Sequence, residues 1–156
     1  MQLSDILAVN RIAIDQTGEQ MPQGSDVLRR LAELLASSGD CDQETVFRLL
    51  REREQLLSTG IGDGVAIPHT PVPGLNSQRA ALVLSPLGVE FAAIDQQPVK
   101  IFFAVIGPKS AASEHLKILA RLSRLLKSPE TRRRLLESST VEQAYSLIQE
   151  QESAPP

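Results

Sequence analysis

Apolar residues recur along this chain in two rhythms, one of helices and one of buried strands. "RIAI" (11–14) reads as a short strand, followed by a polar loop through Gly18, Pro22 and Gly24. Val27, Leu28, Leu31, Leu34 and Leu35 then repeat at three- and four-residue spacing, which predicts a helix with one buried face, capped by Ser25 and stopped by Gly39. A second helix opens at Asp42, whose carboxylate can accept from the free N–H groups of the first turn. Its apolar stripe is Val46, Leu49, Leu50 and Leu56 or Leu57, with Arg48, Arg51 and Arg53 largely off it.

The next three segments change rhythm. "GVAIPH" (64–69), "RAALVLSP" (79–86) and "VKIFFAVIG" (99–107) read as strands, the last two so continuously apolar that both of their faces must be covered. "LGVEFAAIDQQPV" between them reads as a loop with a short extended piece. After Gly107-Pro108 the helical period returns over residues 111–127, with Leu116, Leu119, Leu122 and Leu126 inward. Ser128-Pro129 starts a further helix, with proline where its missing N–H costs nothing, and Thr140 with Gln143 forms a capping box for the last one. Residues 151–156, "QESAPP", read as a frayed tail. With no internal repeat and no dividing linker, the pattern predicts one α/β domain over residues 1–150, its mixed sheet flanked by helices.

Composition narrows the classes. The 156 residues are 42% hydrophobic and 22% charged, the usage of a soluble globular domain. Cys41 is the single cysteine, so an internal disulfide and a thiolate metal cluster are both excluded, and a reducing cytoplasm is expected. The opening "MQLSDILAVN" lacks an export pattern, and no apolar run approaches the ~20 residues of a membrane span, so no membrane insertion is expected. Net charge is −3, but residues 1–78 carry 6 basic and 11 acidic groups against 10 and 8 in residues 79–156. The late basic groups, Lys117, Arg121, Arg124, Lys127 and Arg132 to Arg134, invite a nucleic-acid reading. A pI of 5.4, one tyrosine and four phenylalanines argue for a solvated helix face instead.

"STGIGDGVAIPHT" (58–70) carries the candidate chemistry. Gly60, Gly62 and Gly64 spell G-x-G-x-G before a strand rather than a helix, and no lysine follows, so neither the dinucleotide fingerprint nor a phosphate-binding P-loop is met. Alternate glycines do allow positive φ and close approach of another group. Pro68 fixes the path of the chain and delivers His69 at a strand end, where α/β folds place their chemistry. Alone, His69 reads first as a strand-end histidine satisfied by a carbonyl. His115, the only other histidine, falls in the first turn of the helix after Gly107-Pro108, where unpaired N–H groups favour an anion; alone, it is equally a partly buried core residue. Together the two histidines, the glycines and the helix start describe a site where a small anion meets an imidazole.

"REREQLLSTGIGDGVAIPH" (51–69), "VEFAAIDQQPVKIFFAVIG" (89–107) and "SEHLKILARLSRLL" (113–126) resemble the fructose/mannitol-type enzyme IIA domain of the bacterial phosphoenolpyruvate-dependent phosphotransferase system, especially its nitrogen-regulatory, PtsN-like branch. The resemblance covers nearly the whole chain, and "STGIG-x-G-x-AIPH" alone fixes ten positions. It implies a mixed five-stranded sheet flanked by helices, a phosphoryl group carried on His69, His115 as second active-site histidine, and Arg53 as the arginine upstream of the motif. Two positions depart from the pattern. "TPVPGLNSQ" stands after His69 where relatives often have glycine or arginine, which bears on partner choice more than on phosphorylation; Leu57 stands where relatives are often small.

The chemistry so implied is phosphoryl transfer from a phosphohistidine on a histidine phosphocarrier protein of the HPr/NPr type to one nitrogen of His69. The N–H groups at Gly60, Gly62 and Gly64, His115, the helix start including Ser113, and Arg53 are the candidate donors to its oxygens. No metal or cofactor is called for, and no nucleic acid. Three roles follow: a carrier that regulates partner proteins by its phosphorylation state, a sugar-specific IIA component feeding a IIB domain, or a binding module that has lost phosphate. The retained histidine pair argues against the last.

Overall fold

The computed structural model describes residues 2–56, 59–91, 93 and 95–153. In chain order these form α1 (Leu3–Ile6), a 3-10 turn (Val9–Arg11), β1 (Ile12–Ile14), α2 (Gly24–Leu35), α3 (Gln43–Leu56), β2 (Gly60–Gly62), β3 (Val65–Ala66), β4 (His69–Pro71), β5 (Arg79–Val89), β6 (Val99–Gly107), a second 3-10 turn (Lys109–Ala111), α4 (Ala112–Leu126), α5 (Pro129–Leu136) and α6 (Val141–Ser153).

The sheet is mixed, in the order β1-β5-β6-β3-β2, with β4 also on β6. β1 runs parallel to β5, and β3 and β4 run parallel to β6; β5/β6 and β2/β3 are antiparallel. It has six strands where about five were expected. Two features of the 58–70 stretch account for the extra pieces. Pro68 has no N–H and interrupts the 64–69 run, so β3 and β4 lie in line along the same side of β6, with Val65 opposite Ile101 and His69 opposite Val105. "GIG" folds back on β3 as a strand of its own, with Gly60 opposite Ala66.

Alternation along β5 and β6 builds two cores. Ala81, Val83, Phe102, Ala104 and Ile106 pack with α2 and α3; Ala80, Leu82, Leu84, Ile101, Phe103 and Val105 pack with α1, α4, α5 and α6 on the other face. Both faces are covered by helices, which is why these two strands read as unbroken apolar runs.

Several local expectations shift. α2 starts two residues earlier than a Ser25 cap allows, with Gln23 as its cap residue, and the backbone N–H of Gln23 donates to Asp26 Oδ2 at 3.0 Å. In α3, Asp42 accepts from Thr45 N at 2.9 Å as expected, but Phe47 joins Val46 and Leu50 inside while Leu56 is exposed. The Phe47 ring is roofed by Arg29, at 4.0 Å; Leu57 lies outside the described residues. In α4 the inward residues are Ile118, Leu122 and Leu126, and Leu116 is 66% exposed. Ser128 Oγ accepts from Thr131 N, capping α5. Thr140 Oγ1 accepts from Gln143 N, but the Gln143 side chain turns to Ser139 N rather than closing the box. α6 continues to Ser153; residues 154–156 lie outside the described residues. α1, not foreseen, is held to α6 by Leu3 N and Ser4 N donating to Glu152. No helix among the described residues is long and apolar enough to cross a membrane.

Candidate functional site

His69 reaches its position through strand alternation. Val65 and Ile67 point into the core beneath α4, so His69, two residues on and just past the break at Pro68, projects to the same side as the first residue of β4. Its Nδ1 lies 2.6 Å from the Ile67 carbonyl oxygen. A carbonyl only accepts, so Nδ1 carries the proton and Nε2 keeps its lone pair. The strand-end histidine satisfied by a carbonyl, raised above as the plain alternative, is therefore present. That bond leaves Nε2 without a partner among the described residues, and with a lone pair free for chemistry.

His115 is the fourth residue of α4 and stands three residues before Ile118. It is thus the top of the helix's inward stripe, where the stripe runs past the core and meets the start of β4. The two rings lie 5.7 Å apart, centroid to centroid, tilted by 44°. Nδ1 of His115 is 2.8 Å from Gln78 Oε1, and by the same logic donates to it. Its Nε2 is buried without a hydrogen-bond partner. Burial, and secondarily the nearby His69, push the His115 pKa below the ordinary histidine value, which keeps the resting ring neutral.

The remaining residues singled out from sequence fall in different places. Gly60 begins β2, and Thr59 beside it accepts from Ile67 N at 3.0 Å, which puts this end of β2 next to the strand that carries His69. Gly62 and Gly64 are not brought to the imidazoles. With Asp63 they form three successive left-handed residues, at φ +95°, +58° and +77°, that reverse the chain between β2 and β3. The Gly64 carbonyl accepts from Lys100 and Ile101 N at the start of β6, whereas His69 lies opposite Val105; the four-residue step from Ile101 to Val105 amounts to about 13 Å of strand. Arg53 is half-buried in the last turn of α3, a helix that also packs against β4. Ser113 is exposed in the first turn of α4. Among the described residues no cluster of three or more His, Cys, Asp or Glu could hold a metal.

Gln78 is the site residue that sequence reasoning missed. It sits in the polar "TPVPGLNSQ" loop, and nothing local marks it. Its relevance appears only with the β5/β6 register, which pairs Arg79 with Ile106 and so sets Gln78 beside Gly107, at the mouth of the site.

Over residues 5–151 the chain matches the family described as "Phosphoenolpyruvate-dependent sugar phosphotransferase system, EIIA 2". It is 33% identical over 149 residues to a nitrogen regulatory protein of Pseudomonas aeruginosa, covering 95% of each chain. With a PTS system fructose-specific EIIA component of Haloferax volcanii it shares 28% identity over 151 residues, covering 96% of this chain and 98% of that one. The crystal structure of the nitrogen regulatory protein IIA-Ntr from Neisseria meningitidis matches with a TM-score of 0.84 at 29% identity, covering 93% of this chain and 97% of that one.

Proposed function

The chain belongs to the EIIA 2 family of the phosphoenolpyruvate-dependent sugar phosphotransferase system, and from that premise we propose that it is a phosphocarrier of the nitrogen-regulatory kind whose acceptor atom is Nε2 of His69. The observation that supports this most strongly is the 2.6 Å contact of His69 Nδ1 with the Ile67 carbonyl, which presents the other nitrogen as a free nucleophile at a strand end.

The transfer balances without acid–base help. The Nε2 lone pair attacks the phosphorus of a donor phosphohistidine, the donor N–P bond breaks, and the electron pair returns to the donor ring. What the protein supplies is positioning and compensation for charge, since about two negative charges arrive on one half-buried ring. His115 answers that charge. Its bare Nε2 takes a proton from solvent once the phosphoryl group is present and then donates to a phosphoryl oxygen, a charge-assisted bond worth roughly 1.5–3 kcal/mol. Arg53, Ser113 and the backbone at Gly60 are assigned as further donors; Gly62 and Gly64 are assigned to the turn.

The donor is a histidine phosphocarrier protein of the HPr/NPr type, acting in the cytoplasm, and the phosphorylation state of His69 then decides which protein partners bind. The regulatory reading is preferred because the Pseudomonas and Neisseria relatives carry that name. A fructose-type role, passing the group to a IIB domain, is kept because the Haloferax relative is matched over nearly the full length of both chains. Incubation with phosphoenolpyruvate, the first enzyme of the pathway and the histidine phosphocarrier should label one acid-labile site, absent in His69→Ala. Rapid discharge of that label onto a fructose-type IIB domain would favour the second role.

A further inference from the structure

Gln78 is a polar side chain in a costly place. It is 4% exposed, and its amide lies so close over Gly107 that a Cβ there would stand 2.3 Å from Cδ, Nε2 and Oε1 alike. Gly107 is not in the left-handed region, so its missing side chain answers to space rather than to backbone shape. Arg79, the next residue, is clamped on the opposite side of β5 by Asp40 and by the Leu35 carbonyl at 2.8 Å, which fixes the backbone from which Gln78 projects. The amide uses Oε1 to accept from His115 Nδ1, while its Nε2 and the His115 Nε2 are both buried and unpaired. An amide retained only to satisfy the interior would bond at both ends. Here the one bond made goes to the site imidazole.

We propose that Gln78 is a positioning residue for phosphoryl transfer: seated on Gly107, it holds the His115 ring by Nδ1–H, fixes that tautomer, and leaves Nε2 as the nitrogen that meets the phosphorylated His69. A neutral acceptor suits both states of the ring. In the free protein it holds His115 without charging it. After transfer it keeps Nδ1–H bonded while Nε2 gains its proton, so both N–H groups of the imidazolium have acceptors. Apart from His69, no titratable group among the described residues contributes to the shift of His115, so the neutral amide is what the geometry leaves to orient it.

The kinetic arm rests on the phosphocarrier reading; the spectroscopic arm does not. Nitrogen-15 NMR of the histidine rings should find His115 of the free wild-type protein protonated at Nδ1. In Gln78→Leu that single tautomer should be lost, and transfer from the histidine phosphocarrier should slow on the order of tenfold, with His69 still the labelled residue. Gly107→Ala, which keeps Gln78 but displaces its amide, should reproduce both changes, whereas Gln78→Glu, which keeps an acceptor at the same reach, should retain the proton on Nδ1. A wild-type ring protonated at Nε2 instead, or a tautomer and rate unchanged in both Gln78→Leu and Gly107→Ala, would overturn the assignment. A wild-type protein that takes no label at His69 would remove the phosphocarrier reading while the tautomer result still judged Gln78.

Discussion

Replacing Gly62 or Gly64 by alanine separates two uses of glycine that look identical in the motif. Both residues are left-handed, at φ +95° and +77°, and that region costs a residue with a Cβ about 1–2 kcal/mol. Space adds little: a Cβ at Gly62 would meet Asp95 Oδ2 at 3.5 Å and one at Gly64 would meet the Pro98 carbonyl at 3.8 Å, both ordinary contacts. Each variant should therefore lose about 1–2 kcal/mol of stability through backbone strain alone, a fall of roughly 2–8 °C in Tm for a domain of this size. Urea denaturation measures the first quantity, and the initial rate of phosphoryl transfer at 25 °C measures the consequence for the site. Because about 13 Å of strand separates the turn from His69, the transfer rate should stay within about twofold of wild type. Stability left intact while the rate falls tenfold or more would refute the reasoning and return these glycines to the phosphoryl group.

Other expectations follow from the site and the cores. The folded His115 pKa lies below its unfolded value of 6.5, so the unfolded chain binds the extra proton as pH falls through that value; the free protein should lose stability from pH 7.5 to 5.5, and His115→Gln should flatten that dependence in parallel urea titrations. Phe103→Ala should cost about 3–5 kcal/mol, read by thermal melting, since the ring is fully buried in the core between the sheet and α1, α4, α5 and α6 and the strands cannot collapse into the gap. Ser128→Ala should lower stability by about 1 kcal/mol in the same assay, through loss of the bond from Thr131 N to the hydroxyl that caps α5.

The elements that were legible from sequence are those in which one rhythm persists. β6 runs over Val99–Gly107 as its apolar run predicts, and α2 buries all five of its periodic residues, because a long segment has one phase that hides them. Short pieces were not legible. β2 is a three-residue piece that folds back on β3, and β3 and β4 are strands through pairing with distant residues of β6, which no local window contains. In α4 Leu122 and Leu126 are inward as predicted and Leu119 is partly buried, but Leu116 is exposed, and Ile118, inward instead, puts His115 on the stripe itself. The histidine pair was visible as chemistry, but its geometry depended on two contacts that the sequence does not mark, the Ile67 carbonyl within the motif and the Gln78 amide outside it. The first is a backbone atom that carries no sequence signature, and the second is brought in by strand register from a loop of ordinary composition.

The most direct test of the account is the position of the phosphoryl group on the His69 ring. Phosphorylated protein labelled with nitrogen-15 should show phosphorus coupled to Nε2 and a proton retained on Nδ1, still bonded to the Ile67 carbonyl. Phosphorus on Nδ1, or a single acid-labile phosphoryl group on a residue other than His69, would contradict it.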